Sequence, residues 1–164
     1  MNFTHPSLGL RSASEADHPF LLQLYASVRE EELAPTGWSE AQKNAFISMQ
    51  FQAQHQSYSR YPNAEYFVVL LQQQEIGRLY LQHQAKAILI IDVSLITSAR
   101  GQGIGTDLLQ AVFAEAQSQH KSVLIHVEKF NPALRLYRRL GFQQREDKGV
   151  YLLLERPYTA LSTI

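Results

Sequence analysis

Residues 88–105, ILIIDVSLITSARGQGIG, constrain this chain more than any other stretch. Residues 88–95 are aliphatic apart from Asp92 and Ser94, and a run of that kind predicts a strand covered on both faces. Thr97, Ser98 and Ala99 follow, then Arg100, Gly101, Gln102, Gly103, Ile104 and Gly105. Beyond them Leu108, Leu109, Val112, Phe113 and Ala116 recur at helical spacing. The unit is strand, glycine-rich turn, helix.

Such a turn is suited to an anion. Three glycines at alternating positions let the backbone take positive φ and approach a ligand closely. Successive N–H groups then converge where the helix begins, and the helix N-terminus adds unpaired donors and partial positive charge. Arg100 sets a permanent cation at the rim. The plain structural alternative is a tight strand-to-helix connection with an exposed arginine. A P-loop is excluded, because no Lys-Ser/Thr pair follows the glycines. A dinucleotide fingerprint needs G-x-G-x-x-G, and this G-x-G-x-G is one residue short. Glu128 does stand about twenty residues downstream, where a ribose-binding acid would sit, so a nicotinamide-dependent oxidoreductase remains a rival.

The 164 residues suffice for one domain with a full core. Basic and acidic side chains balance at fifteen each, so no global field draws nucleic acid or an anionic membrane. The lack of cysteine excludes a disulfide framework, a thiolate nucleophile and a Cys-based metal site. No apolar leader and no run of eighteen apolar residues is present, and the expectation is a cytoplasmic protein.

In chain order, residues 8–13 alternate as a first strand. Ser14 or Asp17 can cap a helix carrying Phe20, Leu21, Leu24, Tyr25 and Val28. Pro35 and Gly37 mark a loop, and Ser39 with Gln42 forms a capping-box pattern. The helix that follows is read with Ala45, Phe46, Met49 and Ala53 inward, ending before Tyr61-Pro62. Residues 66–71 and 75–81 form a hairpin across a Gln-rich turn of open type. After the central unit, residues 122–128 give a fifth strand in a right-handed parallel crossover. Asn131 and Pro132 open a short helix that closes at Gly141. A final hairpin, 142–145 and 150–154, turns at Lys148-Gly149, and the tail from Pro157 reads as loosely held.

Two motifs together carry a resemblance. Arg100, Gly103 and Gly105 spell R-x-x-G-x-G. Residues 131–142, NPALRLYRRLGF, follow at a characteristic distance. The pair resembles the GNAT superfamily of acyl-CoA-dependent N-acyltransferases, and the order β-α-α-β-β-β-α-β-α-β-β matches that fold element by element. The resemblance implies an α/β (α+β) mixed sheet splayed between the fourth and fifth strands, with the pantetheine arm of acetyl-CoA in the gap. It implies an N-acetyltransferase in which the acceptor amine attacks the thioester directly in a ternary complex. Dimers are common in the family, though no residue marks an interface.

The chemistry needs three things: an amine relieved of its proton, a donor at the developing oxyanion and an acid for the departing thiolate. The resemblance points to a backbone N–H near Val93 for the oxyanion, with pantetheine pairing along Val93, Ser94 and Leu95. It gives the diphosphate to Arg100, Gly101, Gln102, Gly103, Ile104, Gly105 and Thr106. Asn131 serves as helix cap and coenzyme contact, and Tyr137 as the acid; a core tyrosine is the alternative for Tyr137. The base stays open. Ile91 occupies the slot where some members carry an acid, and Asp92 alternates to the other face unless a bulge re-aims it. An aspartate in so apolar a strand demands a partner. His126 and Glu128 share one face of the fifth strand, and a histidine titrates near neutrality; a hydrogen-bonded sheet histidine is the alternative. His-x-Glu alone is no metal pattern. Three acids ending the first helix oppose its dipole, so Glu30 or Glu31, or Glu32 beside them, with Trp38, is read as holding a cationic acceptor. Arg78 and Tyr80 on the third strand are read as facing that pocket too, with core-edge packing the alternative for Tyr80. A CoA-binding module without transferase activity is the remaining alternative.

Overall fold

The computed structural model describes residues 1–160. Its elements are β1 (Leu8–Ser12), α1 (His18–Leu33), α2 (Glu40–Tyr58), β2 (Ala64–Leu71), β3 (Gln74–His83), β4 (Ala87–Leu95), α3 (Ile104–Ser118), β5 (Ser122–Glu128), α4 (Leu134–Arg139), β6 (Gln143–Asp147) and β7 (Tyr151–Arg156). They match the order expected from the sequence. The strands form one mixed sheet, β1-β2-β3-β4-β5-β7-β6. Among the described residues only β4 and β5 pair in parallel, and the doubly wound repeat of a nicotinamide-binding domain is absent from them.

Two cores flank the sheet. The larger joins Val69, Leu79, Leu81, Ile88 and Ile90 to the inner faces of α3 and α4 through Leu108, Val112, Phe113 and Tyr137, and to Phe142 just before β6. The smaller lies between α1 and α2, around Leu21, Tyr25, Ile47 and Phe51. Here one reading is corrected. The face α2 buries is Ile47 and Phe51, continued by half-buried Gln54 and Tyr58, whereas Met49 is 63 % exposed. The true stripe runs 47, 51, 54, 58 at helical spacing. Its third member is polar, which made the Ala45-Phe46-Met49-Ala53 face look more apolar in sequence.

Capping follows the sequence at some ends and departs from it at others. Ser39 and Gln42 form their reciprocal box. A 3-10 turn at Glu15–Asp17 precedes α1. Asp17 accepts from the Ser14 N–H and from both ends of the Arg11 guanidinium, and Arg11 holds its carboxyl below the usual range. Asn131 does not cap α4 directly. Its Oδ1 accepts from the Ala133 N–H at 2.8 Å, and the helix begins one turn later at Leu134. The β2–β3 turn places both Gln72 and Gln73 at positive φ, 51° and 68°, the geometry that twists two strands together. Of the tail, residues 157–160 are better held than their sequence suggests: Tyr158 packs edge-on against His120, and the Gln117 side chain pairs with the backbone of Thr159; the rest of that reading lies outside the described residues.

One irregularity decides the site. Tyr80 pairs with Asp92 and Leu81 with Ile90, so Ile91 is an extra residue in β4. Pairing of β4 with β5 stops at the same place, Ile90 opposite Ile125. Residues 87–90 are buried and residues 91–95 only half-buried. The bulge turns β4 away from β5, and the sheet opens between them as expected.

Candidate active site

Beyond the bulge, β4 pairs on one edge alone. The Ile96 N–H donates to the Ile76 carbonyl on β3 at 2.8 Å, and the Ser94 carbonyl lies against Gly77 on the same side. A Cβ at Gly77 would meet that oxygen at 2.2 Å, so glycine is required for so close an approach. Backbone groups alternate along a strand, and the N–H groups of Val93 and Leu95 therefore face the open gap. Ser94, expected beside them, sits differently: its Oγ donates to Asp92 on the α1–α2 face.

The chain then makes a 3-10 turn at Thr97–Ala99, and buried Ala99 and Ile104 pin it to the core. Gly101 and Gly103 adopt φ of 73° and 80°, conformations that disfavour any side chain. Arg100 Nε donates to the Leu95 carbonyl at 3.0 Å, tying the corner to β4. Gln102 donates to the Ser98 carbonyl at 2.8 Å. None of the backbone N–H groups of residues 101–106 finds a protein acceptor among the described residues, and the first helical bond there runs from the Asp107 N–H to the Gly103 carbonyl. Six unpaired donors at a helix N-terminus make an anion site, and open space faces Gly101 and Gly103 where side chains would otherwise stand. Asp107, one turn in, is occupied elsewhere; its carboxylate accepts from the N–H groups of Thr4 and His5 at 2.9 Å each.

Tyr137 stands on α4, in the core on the α3 side of the sheet. It is buried against Phe142, ring centroids 5.7 Å apart, and its hydroxyl has no hydrogen-bond partner among the described residues while keeping some contact with solvent. Burial, and then the charge of Asp92, raise its pKa. The phenol stays protonated at neutral pH, the form an acid needs.

Asp92 has the partner its surroundings demand. Arg78 Nε donates to Asp92 Oδ2 at 2.5 Å, and Arg78 Nη2 donates to Gln54 Oε1 at 2.7 Å. Arg78 is 4 % exposed and lies over the rings of Tyr80 and Tyr58, at 4.9 and 5.6 Å. Burial disfavours its charge, yet Asp92 and the two tyrosines more than compensate, and its pKa rises. Tyr80 also walls a separate cavity of about 520 Å3 with Tyr58, Tyr66, His18 and His55.

His126 and Glu128 lie on one exposed face of β5, as alternation requires, with Ile125 and Val127 buried opposite. Lys148 Nζ stands 3.3 Å from His126 Nε2. Partial burial and then that ammonium push the imidazole down, so it is neutral at pH 7. Glu30 and Glu31 are exposed on α1. Trp38 packs edge-on against Phe46 at 5.1 Å. α1 lines the small cavity beside Asp92 with Leu24, Tyr25, Val28 and Arg29. Arg29, Gln54, Tyr25 and Lys148 were missed in the sequence. The spacing 25/29 on α1 and 54/58 on α2 was the available signal, hidden by an acidic run and a Gln-rich helix. Among the described residues no three His, Asp or Glu side chains converge as metal ligands would, and no helix is long and apolar enough to cross a membrane.

Comparison with known proteins agrees with this geometry. The sequence model of the GNAT acetyltransferase domain matches residues 62–144, half of the chain. No curated protein sequence matches significantly. Among solved structures, the PaiA N-acetyltransferase of Thermoplasma acidophilum in complex with coenzyme A superposes with a TM-score of 0.69. It is 19 % identical, over 93 % of this chain and 99 % of that one. The ribosomal L7/L12 alpha-N-protein acetyltransferase RimL, also in complex with coenzyme A, gives 0.62 at 21 % identity, over 93 % and 95 %. A GNAT family acetyltransferase of Elizabethkingia anophelis with acetyl-CoA bound gives 0.60 at 15 % identity, over 93 % and 99 %. With the bulged fourth strand, the split sheet and the glycine corner all in place, the chain belongs to the GNAT acetyltransferase family.

Proposed function

We propose that the protein transfers an acetyl group from acetyl-CoA to a primary amine by direct attack in a ternary complex. The observation that carries this reading is the row of unpaired amides at residues 101–106, set at the end of a strand whose edge is open from Val93 to Leu95. The corner residues Arg100, Gly101, Gln102, Gly103, Ile104, Gly105 and Thr106 suit the diphosphate, and Asn131 is a further coenzyme contact in this reading. The N–H groups of Val93 and Leu95 suit the pantetheine and the thioester oxygen, where a fixed donor stabilises charge that develops during attack. Tyr137 protonates the leaving thiolate. His126, neutral at pH 7, takes the amine proton directly or through water, and Glu128 on the same face assists. Asp92 is the weaker choice, because Arg78 and Ser94 already occupy its oxygens. Glu30, Glu31 and Trp38 border the acceptor's approach.

A second reading has one observation in its favour. With Ile91 in the bulge and Asp92 held by Arg78, β4 carries no unengaged carboxylate, which suits a CoA-binding module without transferase activity. Thiol release from acetyl-CoA across a panel of amines separates the two. Amine-dependent release supports transfer; tight CoA binding with no release from any amine supports the module.

A further inference from the structure

The cavity of about 520 Å3 beside Tyr80 lies between the sheet at β2 and β3 and the start of α1 with the end of α2. Its volume falls within the roughly 300–1,000 Å3 of small-molecule sites. The walls are mainly aromatic: Tyr58, Tyr66 and Tyr80, with His18 and His55. These rings are fixed by other rings. Tyr80 stands edge-on to Tyr66 at 5.0 Å and to Tyr58 at 6.0 Å. His18 and His55 both pack on buried Phe51, at 5.1 and 5.8 Å. The Tyr66 hydroxyl donates to the Tyr58 carbonyl, which ties β2 to the end of α2. Among the described residues no Lys or Arg lines the cavity, and its one carboxylate, Glu15, is exposed.

We propose that this cavity holds an aromatic ring carried by the acceptor, so that the substrate is an arylalkylamine. The inference rests on acetyl transfer as proposed above and names its substrate class. Rigid aromatic walls favour a further ring, edge-on or offset, by more than its buried area alone. A cation is disfavoured there. The Arg78 guanidinium already lies over Tyr80 and Tyr58, at 4.9 and 5.6 Å, and a second positive charge would meet it. Glu15 is too exposed to offset that repulsion. Position ties the cavity to the reaction. Tyr66 pairs with Tyr80, and Tyr80 with Asp92, so one row of residues leads from the cavity to the strand whose open edge carries the Val93 N–H. Strands lie about 4.8 Å apart, and a short carbon chain therefore spans from a ring seated at Tyr80 to the gap. Burial raises the pKa of Tyr58, Tyr80 and Tyr137, and the charge of Asp92 adds to it in each. The cavity wall and the proposed acid thus share one neighbour.

The test pairs each arylalkylamine with its saturated counterpart: benzylamine, phenethylamine and phenylbutylamine against the corresponding cyclohexyl amines. The cyclohexyl ring is the more apolar, so burial alone favours it, and only a ring-specific contact reverses the order. The thiol-release assay gives kcat/KM, expressed on the neutral amine to remove differences in basicity. In the wild type the aromatic member of at least one pair should be preferred at least about fivefold, the scale of one aromatic contact beyond area burial. Tyr66→Leu should bring that ratio toward one, and Tyr66→Phe, which keeps the ring, should retain it. His55→Leu, at an exposed position of α2, takes the place of Tyr66→Leu if that variant does not fold. Ratios near or below one for every wild-type pair, or a preference that survives loss of the wall ring, overturn the proposal and leave acetyl transfer standing. If no amine releases thiol, acetyl transfer fails and the substrate class with it. The cavity is then judged by the melting temperature of CoA-saturated protein. A larger rise with phenethylamine than with cyclohexylethylamine keeps the ring site, and equal shifts overturn it.

Discussion

On the α3 side of β4 the anion corner is made of backbone, six N–H groups and two residues at positive φ, and its two polar side chains, Arg100 and Gln102, are bonded back to the carbonyls of Leu95 and Ser98. On the α1–α2 side of the same strand the cluster is all side chain, drawn from α1, α2, β3 and β4: Arg29, Gln54, Arg78 and Asp92. The first arrangement is local in sequence and hardly depends on which side chains surround it. The second exists only when four elements are packed together, and it holds buried charge. The first is the coenzyme side in the function proposed above; the second is a packed network of buried charge.

The contrast is open to attack through stability first. Asp92→Asn leaves Arg78 buried and uncompensated, and should cost about 3–5 kcal/mol in denaturant unfolding. A loss below about 1 kcal/mol would mean that the cluster is not what holds Arg78. Tyr137→Phe tests the step between the two sides. Loss of the acid should lower kcat at least about 100-fold while leaving CoA affinity within about twofold, because the ring that packs on Phe142 is kept. An unchanged kcat would assign Tyr137 to packing alone.

The legibility of the two regions differed for the same physical reason. Glycines at 101, 103 and 105 announce a conformation by themselves, and the strand and helix around them follow from periodicity. The bulge at Ile91 has no local signature; it is visible only once β3 fixes the register of β4. Asp92 in an apolar run did announce that a partner exists, but the identity of Arg78 required the antiparallel pairing. Gln54 was hidden because a polar residue within a buried stripe reads as a solvated face. Lys148 reaches His126 through the β6–β7 hairpin, a contact set by a turn whose tip the sequence locates but does not aim.

A third test uses pH. The folded pKa of His126 is depressed by burial and then by Lys148, so if this imidazole takes the amine proton, the acid limb of kcat/KM lies below the ordinary histidine value of about 6.5. Lys148→Met should move that limb upward, with activity lost earlier as pH falls, and His126→Gln should abolish it. A limb indifferent to both would pass the role to water or to Asp92. The smallest effects belong to Glu30→Gln and Glu31→Gln. These carboxylates are exposed and screened, and each change should raise the acceptor KM by no more than about two- to threefold. A rise of tenfold would mean that the acceptor's cation is held there directly.

The central claim, that the amides of the corner hold the diphosphate of coenzyme A, is tested most directly by calorimetric titration of CoA into Gly105→Leu. Gly105 lies in the first turn of α3 at helical φ, and a Cβ there would meet nothing nearer than Leu95 at 4.0 Å. The fold should keep its melting temperature, since leucine favours a helix by up to ~1 kcal/mol over glycine. The account predicts that CoA affinity falls at least about 30-fold, or ~2 kcal/mol. A folded variant that binds CoA as tightly as the wild type would contradict it.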